Sequence, residues 1–173
     1  MDKFKKILIG THNKGKFKEL SYLLSKKLKK LSPLEYKIKS PAENGKSFRE
    51  NSELKANYFY KKTKINSLSD DSGLCVNCLG NKPGIYSARW ADKNGSFEQA
   101  MKKIIKLVNK KNQNKKKKNF KAKFVCCLTL QLSNKKKVTA QGEIHGKISN
   151  RVIGKNGFGY DAIFIPKGYK KTF

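Results

Sequence analysis

Three observations in the sequence predict a mixed-sheet α/β fold. Strand-like and helix-like segments alternate in the first half of the chain. Two strand-like segments then follow each other directly at residues 120–132 and 137–148, and an apolar strand follows a glycine-rich bend within residues 156–166. The length of 173 residues fits one domain, residues 1–173, which is long enough to bury a core.

The N-terminal segments predict a strand, a tight loop and a helix. Residues 4–10 (FKKILIG) form a short buried strand that ends at Gly10. Residues 16–31 carry apolar side chains at helical spacing, so we expect one amphipathic helix with an inward face formed by Phe17, Leu20, Leu24, Leu28 and Leu31. A polar connection follows at residues 32–46, with a short strand expected at residues 36–40 (YKIKS).

Two further helices are predicted. The first covers residues 47–64, because Ser47 with Glu50 three positions later fits a capping box. A strand or loop then leads into residues 67–76 (SLSDDSGLCV), which are followed by a loop containing Pro83. The second helix covers residues 96–109, with an inward face of Phe97, Met101, Ile104, Ile105 and Val108.

The charge of the chain does not by itself indicate a nucleic-acid partner. Lys and Arg total 41 against 12 acidic residues, a formal net charge of +29. The arginines are only Arg49, Arg89 and Arg151, whereas phosphate clamps and base readers favour the arginine fork. The lysines are spread along the chain, and their densest run, residues 110–119, predicts a flexible loop rich in Lys and Asn. We therefore expect no dedicated nucleic-acid partner.

The apolar runs, the N-terminal residues and the cysteines of the sequence predict a cytoplasmic protein. No apolar run approaches about 18 residues, so we expect no membrane partner, and the N-terminus lacks a signal-peptide cleavage site. Cys75 and Cys78 have C-x-x-C spacing, but no histidine or second C-x-x-C supports a metal or redox site. We expect these two, with Cys126 and Cys127, to be small buried side chains in a reducing compartment.

The loop GTHNKGK, residues 10–16, is the first segment suited to phosphate. Gly10, Gly15 and Lys16 almost complete a P-loop, but Phe17 stands where Ser or Thr would hold Mg²⁺, so a Walker site is disfavoured. Backbone N–H groups at a helix N-terminus and one lysine still suit an anion. An ordinary strand-to-helix turn is the alternative.

Two segments supply scarce carboxylates. In SFRENSELKA, residues 47–56, Glu50 is either a capping residue or an oxygen ligand for a hard cation. In residues 67–76 the adjacent Asp70 and Asp71 repel each other, and a cation or a shared proton would offset that repulsion. Such a pair at the end of a strand suits a metal ligand and a general base, whereas a turn is the simpler alternative.

Two later segments combine glycine, aromatic and charged residues. PGIYSARWA, residues 83–91, places Arg89 beside Trp90. GFGYDAIF, residues 157–164, places two aromatic rings around a glycine bend that could present them to a planar base, with Asp161 as an acceptor. Core packing explains each segment equally well.

Taken together and in this order, the five segments resemble the inosine/xanthosine triphosphate pyrophosphatase family. Its motifs are T-x-N-x-x-K, S-F-x-E-N-A-x-x-K-A, D-D-S-G-L, P-G-x-x-S-A-R-[YW] and F-G-Y-D-P. The corresponding residues here are Thr11, Asn13 and Lys16, then SFRENSELKA, DDSGL, PGIYSARW and FGYDA. The resemblance spans essentially the whole chain.

The resemblance implies an activity and a fold. The activity is Mg²⁺-dependent hydrolysis of ITP, dITP and XTP to the nucleoside monophosphate and pyrophosphate. The fold is an elongated, two-lobed mixed-sheet α/β structure with flanking helices and a central cleft, usually assembled as a homodimer.

The resemblance also implies the roles of particular residues. Asp71 would be the general base and a metal ligand, with Glu50 sharing the Mg²⁺ and Asp70 supporting Asp71. Ser72 would touch the substrate. The other implied substrate-binding residues are Thr11, His12, Asn13, Lys14, Gly15, Lys16, Lys55, Arg89, Phe158, Gly159, Tyr160 and Asp161.

The chain departs from the family pattern in three ways. Ser52 and Ala162 replace the usual Ala and Pro, and His12 occupies a usually small position. Family members also continue through a Ser-His-Arg motif that holds the purine, whereas this chain stops at Phe173. From this ending we expect weakened or relaxed purine selectivity and an uncovered apolar surface.

Two other hypotheses remain open. One is a lysine-rich nucleotide-binding or nucleic-acid-binding protein without turnover, because the base-binding motif is missing. Its binding should weaken steeply with salt, whereas catalysis should require Mg²⁺. The other is a P-loop-like enzyme that releases orthophosphate, which Phe17 and the lack of a second Walker element disfavour.

Overall fold

The structure is a computed structural model that describes residues 5–154 and 157–173. Phe4 in the predicted first strand and Asn156 in the predicted bend lie outside these residues. The elements are β1 (Lys6–Ile9), α1 (Lys14–Leu23), β2 (Lys29–Leu31), α2 (Phe48–Thr63), β3 (Ser67–Val76), β4 (Lys82–Pro83), α3 (Ser87–Lys93), α4 (Phe97–Asn112), β5 (Lys121–Gln131), β6 (Lys137–Ile148) and β7 (Phe164–Pro166).

The strands form one mixed sheet in the order β2-β1-β3-β5-β6-β7, with β4 paired to β3. Strand β1 pairs in parallel with β2 on one side and with β3 on the other. The chain therefore leaves β1 for β2 through α1 and then returns past β1 to β3 through α2. In open α/β sheets, ligands bind at such a reversal of strand order, outside the carboxyl ends of the strands.

The chain divides into two compact units, and β3, β5 and β6 contribute residues to both. The first unit comprises Met1–Asp71 and Cys126–Gln141. Its apolar cluster is formed by β1, β2, α2 and the turn after α2, through the buried side chains Leu8, Leu31, Phe59 and Ile65.

The second unit comprises Ser72–Val125 and Gly142–Phe173 and has a larger apolar core. Helix α4 contributes a buried stripe of Met101, Ile104 and Val108, and Phe97 and Ile105 pack against the same cluster while partly buried. Phe164 of β7 is fully buried there and meets the ring of Phe124 edge-on at 4.7 Å. The predicted inward face of α4 is therefore confirmed.

Several predicted elements are confirmed closely. Helix α2 follows its N-cap Ser47, whose side chain accepts the N–H of Glu50. Helix α4 likewise follows the N-cap Ser96 and runs three residues past the predicted end. The two long strands β5 and β6 and the short β7 lie where apolar and alternating patterns predicted them. None of the helices in the described part of the chain is long and apolar enough to span a membrane.

The single helix predicted over residues 16–31 is wrong in its second half. Helix α1 ends at Leu23, and Lys29–Leu31 form β2 instead. The leucine spacing fits a helix, but pairing with β1 satisfies the backbone and buries Leu31 beside Leu8. Tertiary pairing thus overrides local periodicity.

The strand predicted at residues 36–40 is also absent. Pro33–Tyr36 form a short 3-10 helix with Ser32 as its N-cap, and Lys37 follows in a left-handed conformation. Ser32 and Glu35 make the reciprocal capping-box bonds that close this turn.

Two further differences concern residues 67–76 and 110–119. The turn that was left open as an alternative at the acid pair does not form, because all of residues 67–76 belong to β3 and both acids lie inside the strand rather than at its end. Of the predicted flexible loop, Lys110, Lys111 and Asn112 are the last turn of α4. The Asn112 side chain bonds the backbone of Asn119, which joins the two ends of the remaining loop.

Candidate active site

The loop between β1 and α1 packs closely against the residues around Gly10 and ends in the N-cap of α1. Thr11 and Asn13 are joined by an N–H to hydroxyl bond, and the Asn13 side chain caps α1 by accepting the N–H of Lys16. A Cβ at Gly10 would lie 2.5 Å from a ring carbon of Phe59 and even nearer Ser69, so only glycine fits there. The predicted phosphate-type loop therefore has helix N–H groups at its end, as the sequence indicated.

Lys16 points back to the acid pair rather than out to solvent. Its ammonium donates to Asp70 Oδ2 at 2.7 Å, and the Asp70 side chain is 4 % exposed. Burial alone would lower the pKa of Lys16, but the carboxylates of Asp70 and Asp71 raise it above its usual value. Lys16, which was predicted to bind the triphosphate, therefore stays protonated beside the acid pair.

Asp71 faces a different helix from Asp70. Adjacent strand residues point to opposite faces, so Asp70 meets Lys16 of α1 while Asp71 meets α2. Asp71 Oδ2 accepts a hydrogen bond from Asn51 Nδ2 at 3.0 Å, and Asp71 Oδ1 lies 3.8 Å from Lys55 Nζ. Each acid therefore has its own partners, which answers how two neighbouring carboxylates are accommodated.

Burial dominates the electrostatics of Asp71. Its desolvation raises the pKa of the carboxyl to about 6, against the opposing effects of the Lys55 charge and the Asn51 hydrogen bond. Glu43 adds a further negative charge that raises the pKa of Asp71. A carboxyl with a pKa near 6 suits a general base that must take up and release a proton near neutral pH.

Glu43 is one of two site residues, with Asn51, to which the sequence analysis assigned no role. Its Oε1 lies 2.6 Å from Lys55 Nζ, so the buried Lys55 ammonium stands between Glu43 and Asp71. The only local signal was one of twelve acids placed in the polar connection before α2. Nothing in that segment indicated that the connection folds back onto the helix.

Glu50, the metal ligand implied by the resemblance, makes capping contacts in this structure. Its backbone N–H donates to Ser47 Oγ, and its Oε2 accepts the N–H of Lys46 at 2.9 Å. The reciprocal bond of a full capping box would instead go to Ser47 itself. No described contact joins Glu50 to Asp71, so the capping alternative accounts for its position.

His12 and Lys14 also lie in the loop between β1 and α1. His12 Nε2 donates to the carbonyl of Ile38 at 3.0 Å, and Nδ1 lies within hydrogen-bond distance of the Ser40 hydroxyl, at 2.7 Å. The ring therefore ties the loop to the segment before α2. Gly15 and Lys14 are the first residues of α1, with Lys14 exposed.

The second unit holds the remaining predicted site residues. Ser72 is half-buried in β3, directly after Asp71. Arg89 lies on α3, where its guanidinium stacks over the Tyr86 ring at 4.4 Å and donates to the carbonyl of Ile85. The Arg89 side chain is exposed, whereas its neighbour Trp90 packs against the core.

The glycine bend at Phe158–Asp161 borders a recess of about 410 Å³. Phe158, Gly159 and Asp161 line it, and Asp161 Oδ2 accepts the N–H of Phe158 at 2.8 Å. Tyr160 does not line it, because its ring is 2 % exposed and its hydroxyl donates to the Ser87 carbonyl. Core packing, which the sequence left open, is therefore what the Tyr160 side chain does.

The cysteines form neither a bridge nor a metal site. All four are free, and no group of three or more His, Cys, Asp or Glu side chains among the described residues is placed to hold a metal ion. Cys75 and Cys127 are buried as expected, but the expectation of burial is wrong for Cys126, which is exposed on β5.

The fold and site define a mixed α/β protein with a lysine–carboxylate site at the point where its strand order reverses. Residues 7–173 match the model of the Ham1 family, and the chain belongs to this family.

Relatives and solved structures agree with this assignment. The chain is 37% identical over 169 residues to a dITP/XTP pyrophosphatase of Zymomonas mobilis, covering 97% of this chain and 79% of that protein. It is 38% identical over 173 residues to a dITP/XTP pyrophosphatase of Bartonella quintana, covering 98% and 80%. A HAM1 protein from Coxiella burnetii superposes with a TM-score of 0.85 at 29% identity, covering 96% of this chain and 84% of that one. The mixed α/β fold expected from the sequence is thus confirmed.

Proposed function

We propose that this chain hydrolyses non-standard purine nucleoside triphosphates such as dITP, ITP and XTP, releasing the nucleoside monophosphate and pyrophosphate. The names of the similar proteins support the reaction and the substrate class. The observation that carries the proposal is Asp71, a buried carboxyl of raised pKa held between Asn51 and Lys55.

Asp71 and the two lysines near it have different roles in the proposed reaction. The Asp71 carboxylate takes the proton from the attacking water, one new P–O bond forms, and the bond between the α- and β-phosphates breaks. Pyrophosphate then leaves with the electron pair of the broken bond. Lys16 and Lys55 supply fixed positive charge beside the base, which favours a polyanionic substrate there.

The carboxylates present fit a Mg²⁺ ion that is bound together with the substrate. Mg²⁺ is usually held by one or two carboxylates, waters and the phosphate oxygens of a nucleotide, rather than by an all-protein cage. Asp71 is the carboxylate that would hold such an ion, because Glu43 is already paired with the Lys55 ammonium at 2.6 Å and Asp70 with the Lys16 ammonium at 2.7 Å. When bound, the ion would neutralise phosphate charge and favour the ionised form of Asp71. Glu50 as a ligand stays a prediction.

The substrate-binding roles that the resemblance implies for residues of the second unit stay predictions. Phe158, Gly159 and Asp161 border an open recess that suits a planar base, and Arg89 presents an exposed guanidinium, whose fork of donors suits phosphate. The homodimer and the cytoplasmic location expected from the sequence also remain predictions. Sedimentation would test the first.

A substrate panel tests the proposal. The purified chain is given ITP, XTP, GTP or ATP at alkaline pH, with Mg²⁺ or with EDTA, and released pyrophosphate and orthophosphate are quantified separately. We expect pyrophosphate from ITP and XTP, with turnover abolished by EDTA. Orthophosphate as the product, or no turnover with nucleotide binding that falls steeply with salt, would favour the two hypotheses left open by the sequence.

A further inference from the structure

We propose that Asn51 is a positioning residue that immobilises one oxygen of Asp71, so that Oδ1 is the oxygen left to receive the proton of the attacking water. The inference rests on the proposed role of Asp71 as the base. Asn51 lies in the second turn of α2 and is fully buried.

The orientation of the Asn51 amide is fixed from both ends. Its Oδ1 lies 2.8 Å from the backbone N–H of Gly45, which can only donate. The Nδ2 group must therefore point the other way, toward Asp71 Oδ2, where it donates at 3.0 Å. A neutral amide cannot exchange these two roles without leaving Gly45 unsatisfied, so the bond to Oδ2 is dictated by the backbone.

The contact with Gly45 depends on a close approach of the backbone. A Cβ built on Gly45 would lie 2.6 Å from Asn51 Oδ1 and 2.8 Å from the Cβ of Glu50. Only glycine brings the segment before α2 this near to the helix. Glu43 belongs to the same segment, so the contact between Gly45 and Asn51 also helps to place Glu43 beside the helix.

Asn51 and Lys55 form two parallel links between the segment before α2 and Asp71. They are four residues apart, so they lie on one face of the helix. Asn51 joins Gly45 to Oδ2, and Lys55 joins Glu43 to Oδ1. The two links hold the two carboxyl groups in one arrangement.

The two oxygens of Asp71 are not equivalent in this arrangement. Oδ2 accepts a bond of normal length, while Lys55 Nζ lies 3.8 Å from Oδ1, beyond hydrogen-bond distance. Among the described residues, Asn51 supplies the one side-chain hydrogen bond to this carboxylate. The Lys55 ammonium is instead hydrogen-bonded to Glu43 at 2.6 Å, so Oδ1 accepts none of the described side-chain hydrogen bonds. Oδ1 is therefore the oxygen available for chemistry.

Two variants separate the links made by Asn51. Asn51→Ala removes both hydrogen bonds. Asn51→Asp keeps the shape and the acceptor for Gly45 but replaces the donor that faces Asp71 Oδ2. Asn57→Ala is the matched control, because Asn57 is half-buried on the same helix and none of the described hydrogen bonds joins it to Asn51, Lys55 or Asp71. Each variant is assayed for kcat and KM, for unfolding in urea, and for hydrogen exchange of the Gly45 amide.

We expect kcat to fall about 10- to 100-fold in both Asn51 variants with KM unchanged, as for other residues that orient a reacting group. The Gly45 amide should exchange slowly in the wild type and in Asn51→Asp, and rapidly in Asn51→Ala. A wild-type kcat in Asn51→Asp, or rapid Gly45 exchange in the wild type, would overturn the inference. Should Asn51→Ala fail to fold, Asn51→Asp and the wild-type exchange still decide it.

Failure of this inference is distinguishable from failure of the proposed function. An inactive wild type with a protected Gly45 amide would refute the reaction and leave the contact in place. An active wild type with indifferent Asn51 variants would refute only the role of Asn51.

Discussion

The ammonium of Lys16 lies 2.7 Å from the carboxylate of Asp70, and this contact separates the roles of the two adjacent acids. Asp70 forms an ion pair with Lys16 of α1, whereas Asp71 faces Asn51 and Lys55 of α2. The acid pair is therefore two sites on opposite faces of β3, each with its own counter-charge.

Removing Asp70 should cost stability, because it leaves the Lys16 charge partly buried and unpaired. Asp70→Asn is expected to destabilise the fold by about 3 kcal/mol, and Lys16→Met in the same chain should recover most of that loss. Urea unfolding of the two single variants and the double variant measures both quantities. Glu98→Gln is the control, because it breaks the exposed ion pair with Lys102 and should cause no measurable change. Equal effects of Asp70→Asn and Glu98→Gln would contradict the burial argument.

The pH dependence of stability should report Asp71. Folding raises the pKa of its carboxyl from 3.8 to about 6, so the folded state holds the proton more tightly than the unfolded state. The stabilisation is therefore present below about pH 4 and is lost as the pH rises through about 6. Between pH 4 and pH 7.5 the wild type should lose up to about 3 kcal/mol that Asp71→Asn does not lose. Urea melts in EDTA without nucleotide measure this difference, and a difference of zero would mean an ordinary pKa.

A methyl group at Gly45 should disturb the site, because its Cβ would lie 2.6 Å from Asn51 Oδ1. Gly45→Ala is expected to destabilise by about 1–3 kcal/mol and to lower kcat. Gly142→Ala is the matched control, since no atom lies within 4 Å of a Cβ there. Thermal unfolding and ITP turnover of the two variants make the comparison. If Gly45→Ala were as harmless as Gly142→Ala, the segment before α2 would not need to lie close to the helix.

The Ser52 hydroxyl should contribute modestly to the free energy of unfolding. Ser52 is fully buried, and its Oγ donates to the Arg49 carbonyl and shares a hydrogen bond with Thr129 Oγ1 at 2.8 Å. Ser52→Ala should cost about 1 kcal/mol, because Thr129 keeps its bond to Thr139. Unfolding in urea tests this, with Ser133→Ala on the turn before β6 as a comparison. A loss above about 3 kcal/mol would mean that Thr129 is left unsatisfied.

The sequence predicted the elements whose signals are local. Helices α2 and α4 begin after Ser47 and Ser96 because both serines cap the first turn with their own side chains. It failed at residues 29–31, where the leucine spacing fits a helix but pairing with β1 decides the structure.

The site shows the same division. Lys16, Lys55 and the acid pair were singled out because each lies in a segment that matches a family motif, and the structure pairs Lys16 with Asp70 and places Lys55 beside Asp71. Glu43 and Asn51 were not assigned roles, because both act through a fold-back of the chain that no local pattern encodes. For Glu50 the local sequence offered a capping role, which its contacts with Ser47 and Lys46 match, whereas its role as a metal ligand came from the family resemblance alone and stays a prediction.

The proposal that Asp71 is the general base is tested by identifying the products formed from ITP by the wild type and by a variant that lacks the Asp71 carboxylate. Phosphorus NMR of ITP incubated with the wild type, Asp71→Asn and Asp92→Asn compares the proposed base with an exposed acid on α3. We expect IMP and pyrophosphate with the wild type and with Asp92→Asn, and intact ITP with a folded Asp71→Asn. Orthophosphate as the product, or undiminished turnover in Asp71→Asn, would contradict it.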